Sequence, residues 1–418
     1  MPNNFTLLKA ETIEKNVENL NQLTFEVTDA CNLKCKYCGY GEFYDDYDKR
    51  ENKNLAIKDA IAILDYLIQF WQSEQNVSFN KNVYISFYGG EPLLNMDFIK
   101  QVIKYLEENP CSVRHFTFSM TTNAVLLDRY MDYLVEKNFN VMISLDGNAQ
   151  NTAYRVDALG NPSFEKVVRN VDLLRDTYPD YFINKVNFNA VLHNKNSVEE
   201  IHRFFKDKYQ KISSIGELNN MGIRPDKQKE FMQTYRNQAE SLRQSEHYEE
   251  IEKERFTHSP NYQTVCAFLH QYGGFVYQDY DELLFGKQHQ NSNWITGTCM
   301  PFNKKMFVTV NGKILPCERI GHQFALGIVD KNGVHIDFEE IVQRYSYYFS
   351  KLENQCKDCY NTKACMQCIF NLPNLEKQLV CKGFMNKNDF EKYQDNIKSF
   401  LRNHPEDYYR IMEEVFVV

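Results

Sequence analysis

Apolar positions along the chain follow two repeats, the two-residue repeat of strands and the 3.6-residue repeat of helices. The first apolar run, LTFEVT at residues 23–28, is short and rich in strand-forming residues, and helical stripes alternate with similar runs after it. The pattern predicts strands at 23–28, 83–88, 116–120, 141–145, 186–192 and 213–218, and helices at 55–71, 96–108, 129–137, 164–175 and 198–209. Six strands alternating with helices predict an α/β fold with a parallel sheet.

The periodicity weakens after residue 223. Residues 224–295 are polar and charged, and we expect a mainly helical bridge between two domains. Residues 296–388 are dense in cysteine, and residues 389–418 have the amphipathic pattern of helices. The 418 residues suffice for two or three domains of about 150 residues each.

Charge and cysteine content narrow the possible functions. A net charge of −8 argues against a nucleic-acid partner, which usually requires a basic face. The chain starts without the layout of a signal peptide and has no apolar run of about eighteen residues, so we expect a cytoplasmic protein with no membrane partner. Twelve cysteines in that reducing compartment indicate metal binding or catalysis.

Three cysteines, Cys31, Cys35 and Cys38, follow the first predicted strand. Soft thiolates select iron-sulfur or zinc centres. Three thiolates can hold three irons of a cubane cluster and leave the fourth iron open. Zinc would need a fourth ligand nearby, and the loop contains no histidine, so the spacing favours a cluster.

The motif C-x-x-x-C-x-aromatic-C, with Tyr37 before the last cysteine, resembles the signature of the radical S-adenosylmethionine (SAM) enzymes. The resemblance implies a partial (β/α)6 TIM-like barrel over residues 23–223, after an N-terminal extension of residues 1–22. It also implies that the open iron chelates SAM, and that the reduced cluster cleaves SAM to methionine and a 5′-deoxyadenosyl radical. That radical then abstracts a hydrogen atom from the substrate.

Polar segments follow the second and third predicted strands. Gly89 and Gly90 permit close backbone approach, and Glu91 can accept from an ammonium group. The resemblance implies that this segment contacts the SAM amino group, whereas a plain turn is the alternative. Asn123 ends a T-T-N segment similar to the family's T-T-N-G, with Ala124 in place of the glycine. A helix N-cap or turn role is the alternative for Asn123.

The fourth and fifth strands supply three further candidates. Ser144 begins an S-L-D-G segment similar to that of the family, and Arg155 follows it, although T-A-Y replaces the usual His-Asp pair before the arginine. The resemblance implies that both residues hold the SAM carboxylate, which a guanidinium grips bidentately. A surface ion pair is the alternative for Arg155. Asn189 is predicted to reach the ribose or adenine.

A second group of seven cysteines resembles the SPASM domain, an auxiliary-cluster module of radical SAM enzymes that modify peptides and proteins. The resemblance implies an outer cluster on Cys356, Cys359, Cys365 and Cys381, and an inner cluster on Cys299, Cys317 and Cys368. Cys266 either completes the inner cluster or is a buried helical thiol, and in the second case the inner cluster keeps an open iron. The gap between Cys365 and Cys368 is one residue shorter than the family pattern.

Zinc is the alternative for this region, because two C-x-x-C pairs are present. Their separation is shorter than the spacing of about fifteen to twenty residues typical of paired zinc knuckles. Zinc would also leave Cys299, Cys317 and Cys381 without a role. Glu318, which follows Cys317, lies where sulfatase-maturating relatives carry an aspartate. It either takes a proton from the substrate or pairs with Arg319.

We therefore predict a radical SAM enzyme that uses SAM and three 4Fe-4S clusters, with a peptide or protein substrate and an external electron donor such as flavodoxin or ferredoxin. The short N-terminal extension leaves no room for a peptide-recognition domain there. The favoured function is maturation of a ribosomally synthesised peptide through a thioether or carbon-based crosslink. The alternatives are oxidation of Cys or Ser to formylglycine and, in another class, a non-catalytic iron-sulfur or zinc-binding protein.

Overall fold

The computed structural model describes residues 7–74, 76, 82–258, 260–272, 296–362, 364–372, 375 and 379–414. Residues 1–6 of the predicted N-terminal extension, and residues 259 and 273–295 of the predicted bridge, lie outside the described residues. The chain divides into two compact units. The sheet unit comprises Ala10–Arg255 and Met300–Phe338, and the helical unit comprises Met1–Lys9, Phe256–Cys299 and Glu339–Val418. The predicted domain boundaries remain predictions.

The sheet unit is built on six parallel strands that lie side by side in chain order. They are β1 Gln22–Thr28, β2 Asn82–Gly89, β3 His115–Thr122, β4 Asn140–Ser144, β5 Val186–Leu192 and β6 Ser214–Glu217. Their positions confirm the predicted α/β fold with a parallel sheet, and a partial barrel is consistent with this topology. The parallel arrangement brings the carboxyl ends of neighbouring strands to one edge of the sheet.

Ten helices belong to the described part of the sheet unit. They are α1 Ala10–Glu18, α2 Ile57–Trp71, α3 Met96–Glu108, α4 Leu127–Glu136, α5 Phe164–Thr177, α6 Pro179–Lys185, α7 Val198–Tyr209, α8 Gln228–Thr234, α9 Gln238–Arg243 and α10 Tyr248–Glu254. The predicted apolar stripes are their buried faces. In α3, for example, Phe98, Val102 and Leu106 recur at helical spacing and are all buried.

Four short strands extend the sheet beyond β1 and were not predicted. They are β7 Met306–Val308, β8 Lys313–Leu315, β9 Gly327–Asp330 and β10 Gly333–Ile336. Strand β7 pairs parallel with β1, and β8 to β10 continue antiparallel. Strands of three or four residues are too short to establish a two-residue repeat in the sequence. Their presence places Cys317 and Glu318, which follow β8, in the sheet unit.

The helical unit contains α11 Pro260–Tyr272, most of α12 Phe338–Ser350, α13 Glu353–Lys357, α14 Lys387–Asn403 and α15 Pro405–Glu414. The last two are the predicted C-terminal amphipathic helices. Phe256, Val265, Leu269, Ile397 and Ile411 form an apolar cluster that joins α11, α14 and α15. Among the residues that the structure describes, no helix is both long and apolar enough to cross a membrane.

Candidate active site

The carboxyl ends of the parallel strands and the loop after β1 enclose one pocket, which we call the strand-end pocket. Every residue predicted to contact SAM or the first cluster lines it. These residues are Cys31, Cys35, Tyr37, Cys38, Gly89, Gly90, Glu91, Asn123, Ser144, Arg155 and Asn189. The structure therefore brings together side chains from widely separated parts of the chain, and their roles as ligands remain predictions.

The cysteine loop is fixed by the segment that follows β4. The backbone N–H of Lys34 donates to the carbonyl of Val156 at 2.7 Å, and that of Lys36 donates to Tyr154 at 3.3 Å. Burial raises the pKa of Cys35 to about 12 and also raises that of Cys31. These thiols are therefore protonated in the metal-free protein, and binding of a cluster would release their protons.

The cysteine sulfurs of the described residues do not form a close group of three. In the described ranges, only Glu199, Glu246 and His247 place three potential ligand atoms within 4.8 Å of one another, and no three cysteine sulfurs do so. Ligands of one zinc ion share a single metal at about 2.3 Å from each sulfur, so they lie close together. A cubane takes each thiolate on a different iron and spreads them further apart.

The glycine turn after β2 packs directly on the start of the cysteine loop. The N–H of Gly90 donates to Thr28 at 2.8 Å, and that of Glu91 donates to Ala30 at 2.9 Å. A Cβ atom on Gly90 would lie 2.0 Å from the Ala30 carbonyl oxygen, and one on Gly89 would lie 2.3 Å from that of Thr28. Both glycines are thus needed for the loop itself to pack.

Glu91 is fully buried and connects this turn to the end of β3. Its carboxylate accepts from the Thr122 hydroxyl at 2.6 Å, from the Asn123 N–H at 2.7 Å and from the Leu93 N–H at 3.0 Å. Burial raises its pKa to about 7. The Asn123 side chain in turn donates to Asn32 at 2.7 Å and lies 3.8 Å from the Cys31 sulfur. Glu91 therefore positions Asn123 beside the first cysteine.

Ala124 occupies a backbone conformation that normally favours glycine. Its φ angle is +60°, in the left-handed region, and its side chain is buried. The amide group of Asn170 donates to the carbonyls of Ala124 and Val125 at 2.9 and 3.0 Å. These bonds hold the turn, and the φ angle explains the glycine that the family pattern carries at this position.

A buried ion pair between Asp146 and Arg155 forms one wall of the strand-end pocket. The guanidinium donates to Asp146 at 3.1 and 3.0 Å, and the two side chains are 0% and 8% exposed. The surface ion pair considered for Arg155 is therefore wrong, because the pair is buried. Burial opposes ionisation of Asp146, but Arg155 outweighs it and holds the pKa at about 2.

Two aromatic side chains complete this wall. The Tyr37 hydroxyl donates to Asp146, and the Tyr37 ring stacks on His193 with centroids 5.5 Å apart. His193 Nε2 lies 3.7 Å from Asp146. Neither Asp146 nor His193 was predicted as a site residue, although Asp146 belongs to the S-L-D-G segment. The aspartate of that segment was the available signal, whereas nothing in the sequence marked the histidine.

Ser144 and Asn189 are direct neighbours in the sheet. They are paired in the register of β4 and β5, so their side chains line the pocket from adjacent strands. The Asn189 carbonyl also accepts from the Leu145 N–H at 3.0 Å. The geometry thus places two polar side chains beside the Asp146 and Arg155 pair.

Glu318 lies between the strand-end pocket and a second cavity inside the sheet unit, which we call the interior cavity. Lys305 donates to its two carboxylate oxygens at 3.1 and 3.0 Å, so its ion-pair partner is Lys305 and the predicted partner Arg319 is wrong. Burial opposes ionisation, but Lys305 lowers the pKa of Glu318 overall. Glu318, Tyr88 and Thr121 line both cavities.

The interior cavity has both apolar and polar walls. Hydroxyl and amide groups reach it from β1 to β5, Lys185 at the end of α6 adds a positive charge, and Lys305 lines it as the partner of Glu318. The polar residues that line it are Gln22, Thr24, Ser86, Ser119, Thr121, Asn140 and Asn187. Its walls can therefore bind a polar chain by hydrogen bonds.

In the helical unit, the cysteines predicted for the outer cluster lie close together. Burial raises the pKa of Cys356 to about 12, and Cys365, Cys381 and Cys359 add to the rise through their proximity. Gln355 joins the segments, because its side chain accepts from the Cys381 N–H at 3.1 Å and donates to the Leu379 carbonyl at 2.7 Å.

The predicted inner set is divided between the two units. Cys299 and Cys368 lie near each other in the helical unit, and both segments meet at Thr298, whose hydroxyl accepts from the Ile369 N–H at 2.7 Å. Cys317 belongs to the sheet unit, so its sharing of a cluster remains a prediction. Cys266 is partly buried and packs against the apolar cluster of α11, α14 and α15, and its role as a ligand or a helical thiol remains a prediction.

The site combines a parallel βα sheet, three cysteines on its first loop and a pocket lined by polar residues at the strand ends. This arrangement is typical of a radical SAM enzyme. The model of the Radical SAM superfamily matches residues 25–207. Residues 25–207 are thus a Radical SAM domain, which confirms the resemblance seen in the sequence. The family uses SAM and a 4Fe-4S cluster, and the cysteine-rich C-terminal region is consistent with the SPASM type.

Two curated relatives are similar to about half of this chain. The chain is 30% identical over 196 residues to the cysteine-type anaerobic sulfatase-maturating enzyme of Clostridium novyi, covering 46% of this chain and 49% of that protein. It is 25% identical over 224 residues to the radical SAM cyclopropyl synthase TigE of Paramaledivibacter caminithermalis, covering 51% and 44%. These alignments span about half the length of the two curated relatives.

The fold is also that of a solved maturase. Native anSMEcpe with bound AdoMet and Kp18Cys peptide aligns with a TM-score of 0.57 at 18% identity, over 93% of this chain and 98% of that one. At this identity the similarity establishes a common fold.

Proposed function

We propose that this protein is a radical SAM maturase of a ribosomally synthesised peptide. The observation that carries the proposal is the pair of adjoining cavities, since Glu318, Tyr88 and Thr121 line both the strand-end pocket and the interior cavity. A peptide side chain in the interior cavity would lie next to the pocket that we assign to SAM. Hydrogen abstraction requires this kind of proximity.

In this proposal Cys31, Cys35 and Cys38 hold the SAM-binding cluster. When bound, the cluster and SAM supply the 5′-deoxyadenosyl radical. Ser144 and Arg155 bind the carboxylate of SAM, and Asp146 holds the guanidinium in place through two hydrogen bonds. The polar backbone of the glycine turn faces the amino group, Tyr37 closes the wall beside Arg155, and Asn123 and Asn189 extend the pocket towards the nucleoside.

The helical unit then carries auxiliary clusters. The proximity of Cys356, Cys359, Cys365 and Cys381 supports an outer 4Fe-4S cluster. Within this unit, Cys299 and Cys368 would contribute to an inner cluster, and Cys266 would be a partly buried thiol. These clusters would accept the electron that the substrate loses when its new bond forms. A cytoplasmic flavodoxin or ferredoxin is the class of donor that would reduce the first cluster.

The proposed product is a thioether or carbon-based crosslink. The resemblance to a cyclopropyl synthase supports carbon-based bond formation. Oxidation of Cys or Ser to formylglycine is the second candidate, supported by the resemblance to a sulfatase-maturating enzyme and by Glu318, whose carboxylate is ionised beside Cys317. Glu318 would accept the substrate proton in either reaction.

Mass spectrometry separates the two candidates. The reconstituted protein is incubated without oxygen with SAM, a reductant and a peptide encoded beside its gene. A crosslink removes two hydrogens, creates no aldehyde and closes a ring that resists fragmentation. Formylglycine replaces a cysteine thiol by an aldehyde, or removes two hydrogens from serine, and either product reacts with a hydrazide probe. Hydrazide labelling would contradict the crosslink, and an unmodified peptide with active SAM cleavage would contradict this choice of substrate.

A further inference from the structure

Arg50 lies outside every motif that identified the site, yet its side chain reaches back to the cysteine loop. Its Nη2 donates to the Cys38 sulfur at 3.4 Å. The guanidinium carbon lies 4.5 Å from the centroid of the Tyr40 ring, within the range of a cation–π contact. These two contacts hold a positive charge directly beside one of the predicted cluster ligands.

Arg50 also differs from the other charged groups that line the strand-end pocket. Arg155 is paired with Asp146, Glu318 is paired with Lys305, and the Glu91 carboxylate accepts bonds from its own chain. Arg50 has no ion-pair partner among the described residues, and its Nε is buried without a hydrogen-bond partner there. A partly buried guanidinium that lacks a carboxylate is stabilised by a negative charge that arrives with a cofactor.

Tyr40 explains how the guanidinium stays in place. Its hydroxyl donates to Glu26, and that carboxyl also accepts from the Val310 N–H at 2.9 Å. Tyr40 is therefore fixed at its far end by strand β1 and by the residue two positions after β7. The stack of Tyr40 and Arg50 has a rigid base, so the bond from Nη2 to the sulfur does not depend on a mobile side chain.

We propose that Arg50 is a positioning residue that acts through Cys38 to raise the reduction potential of the SAM-binding cluster. Reduction adds one negative charge to the cluster, and a nearby cation favours the state with more negative charge. Hydrogen bonds to cluster sulfurs also tune the potential of iron-sulfur centres. The inference rests on the proposed ligand set Cys31, Cys35 and Cys38.

The test is a redox titration followed by electron paramagnetic resonance on the reconstituted full chain. The signal to be followed is the part that changes when SAM is added, because this part reports the SAM-binding cluster alone. We expect Arg50→Gln to shift the midpoint of this signal to a more negative potential. Arg50→Lys keeps the charge without the planar fork, so its shift should be smaller.

Lys36→Gln is the matched control. Lys36 is adjacent to Cys35 in the chain, but its ammonium pairs with Glu230 at 3.0 Å rather than with a sulfur. Loss of this charge should leave the midpoint close to that of the wild type. An equal shift in Lys36→Gln and Arg50→Gln would overturn the proposal, because any nearby charge would then have the same effect.

The remaining outcomes are also decisive. An unchanged midpoint in Arg50→Gln overturns the proposal, and weaker SAM binding with an unchanged midpoint reassigns Arg50 to the SAM carboxylate. Failure of both Arg50 variants to take up iron overturns it as well, since Arg50 would then be needed for assembly. If the wild type has no SAM-sensitive signal, the proposed function itself is contradicted. If the wild type has this signal and the Arg50 variants do not shift its midpoint, only the proposal for Arg50 is contradicted.

Discussion

The two cysteine-rich regions of this protein are built in opposite ways. In the sheet unit, Cys31, Cys35 and Cys38 come from one loop and face a pocket of polar groups from several strand ends. In the helical unit, four cysteines between Cys356 and Cys381 lie close together on short helical and irregular segments. In our proposal, the first arrangement provides three thiolates and space for a ligand, whereas the second provides four thiolates to one cluster.

This difference assigns different chemistry to the two regions. A cluster with an open iron can bind a substrate-like molecule, and the surrounding charges determine its orientation. A cluster with four thiolates has no open position and is limited to electron transfer or a structural role. The Asp146 and Arg155 pair and the Lys305 and Glu318 pair both lie in the sheet unit, where bond cleavage is proposed.

The largest expected effect on iron content and product comes from removal of the cysteines predicted to bind the outer cluster. Replacing Cys356 and Cys359 by alanine should remove about four irons per chain from an expected total of about twelve, and should abolish the modified peptide. Iron and sulfide analysis together with mass spectrometry of the peptide measures both losses. Cys266→Ala is the matched control and should retain all of the iron. Loss of iron in Cys266→Ala would instead indicate that Cys266 is a cluster ligand.

Glu318→Gln tests the proton acceptor next to Cys317. The peptide product should fall by a factor of about 10² to 10⁴, because the substrate proton has no acceptor. The yield of 5′-deoxyadenosine per modified peptide should therefore rise. Glu318→Asp retains the carboxylate and should recover part of the product. Equal product yields for Glu318→Gln and the wild type would exclude this role.

Asp146→Asn breaks the charged wall of the strand-end pocket. The guanidinium of Arg155 would remain buried without its carboxylate, which costs about 3–5 kcal/mol of the free energy of unfolding. Urea denaturation measures the change. Asp226→Asn is the control, because Arg224 and Asp226 have the same fork geometry at 3.1 and 2.9 Å on the exposed surface, and little change is expected there. Similar losses in both variants would contradict the account.

The pH dependence of stability should also come from the sheet unit. Burial raises the pKa of Glu26 from its ordinary value of 4.5 to about 7. Between these values the folded protein keeps a proton that the unfolded chain has lost, so its stability falls as pH rises through this window. The contribution of Glu26 is about 3 kcal/mol.

Urea denaturation of the metal-free protein at several pH values checks this effect. In Glu26→Gln, the pH-dependent change in the free energy of unfolding should be smaller by about the contribution of Glu26. Glu91 contributes a change of the same sign, which should remain in this variant. Cys356 does not titrate in this range, since burial raises its pKa to about 12. Identical pH profiles for the wild type and Glu26→Gln would disprove the assignment.

The smallest effect is expected at Ala124. Substitution by glycine relieves left-handed strain of about 1–2 kcal/mol, which offsets the lost methyl contact and the added freedom of the unfolded chain. Ala124→Gly should therefore be nearly neutral. Ala60→Gly, at a buried position in α2, should lower the free energy of unfolding by about 1 kcal/mol or more. Thermal denaturation compares the two, and an equal loss at both positions would show that Ala124 is unstrained.

Sequence patterns predicted the parallel core and the cysteine loop well, because each depends on local spacing. Strands β1 to β5 carry enough residues to show their repeat, and the segments that begin at Gly89 and Ser144 lie at the ends of β2 and β4. The strand-end pocket was predictable for the same reason, since the carboxyl ends of parallel strands meet at one edge.

Contacts between distant segments were not predictable from one sequence. The partner of Glu318 is Lys305, just before the three-residue strand β7, and no periodic pattern connects the two. His193 reaches the site only because it follows β5 and stacks on Tyr37. Arg50 lies in a polar segment that resembles an ordinary surface loop in the sequence. Each of these side chains acquires its role from tertiary packing rather than from local spacing.

Formation of 5′-deoxyadenosine tests the central claim most directly. The reconstituted protein is incubated without oxygen with SAM and reductant, and the nucleoside is quantified by chromatography. The account predicts that the wild type forms 5′-deoxyadenosine, that a variant with Cys31, Cys35 and Cys38 replaced by alanine forms none, and that a variant lacking the outer set still forms it. Cleavage of SAM by the first variant, or no cleavage by the wild type, would contradict the assignment of the strand-end pocket.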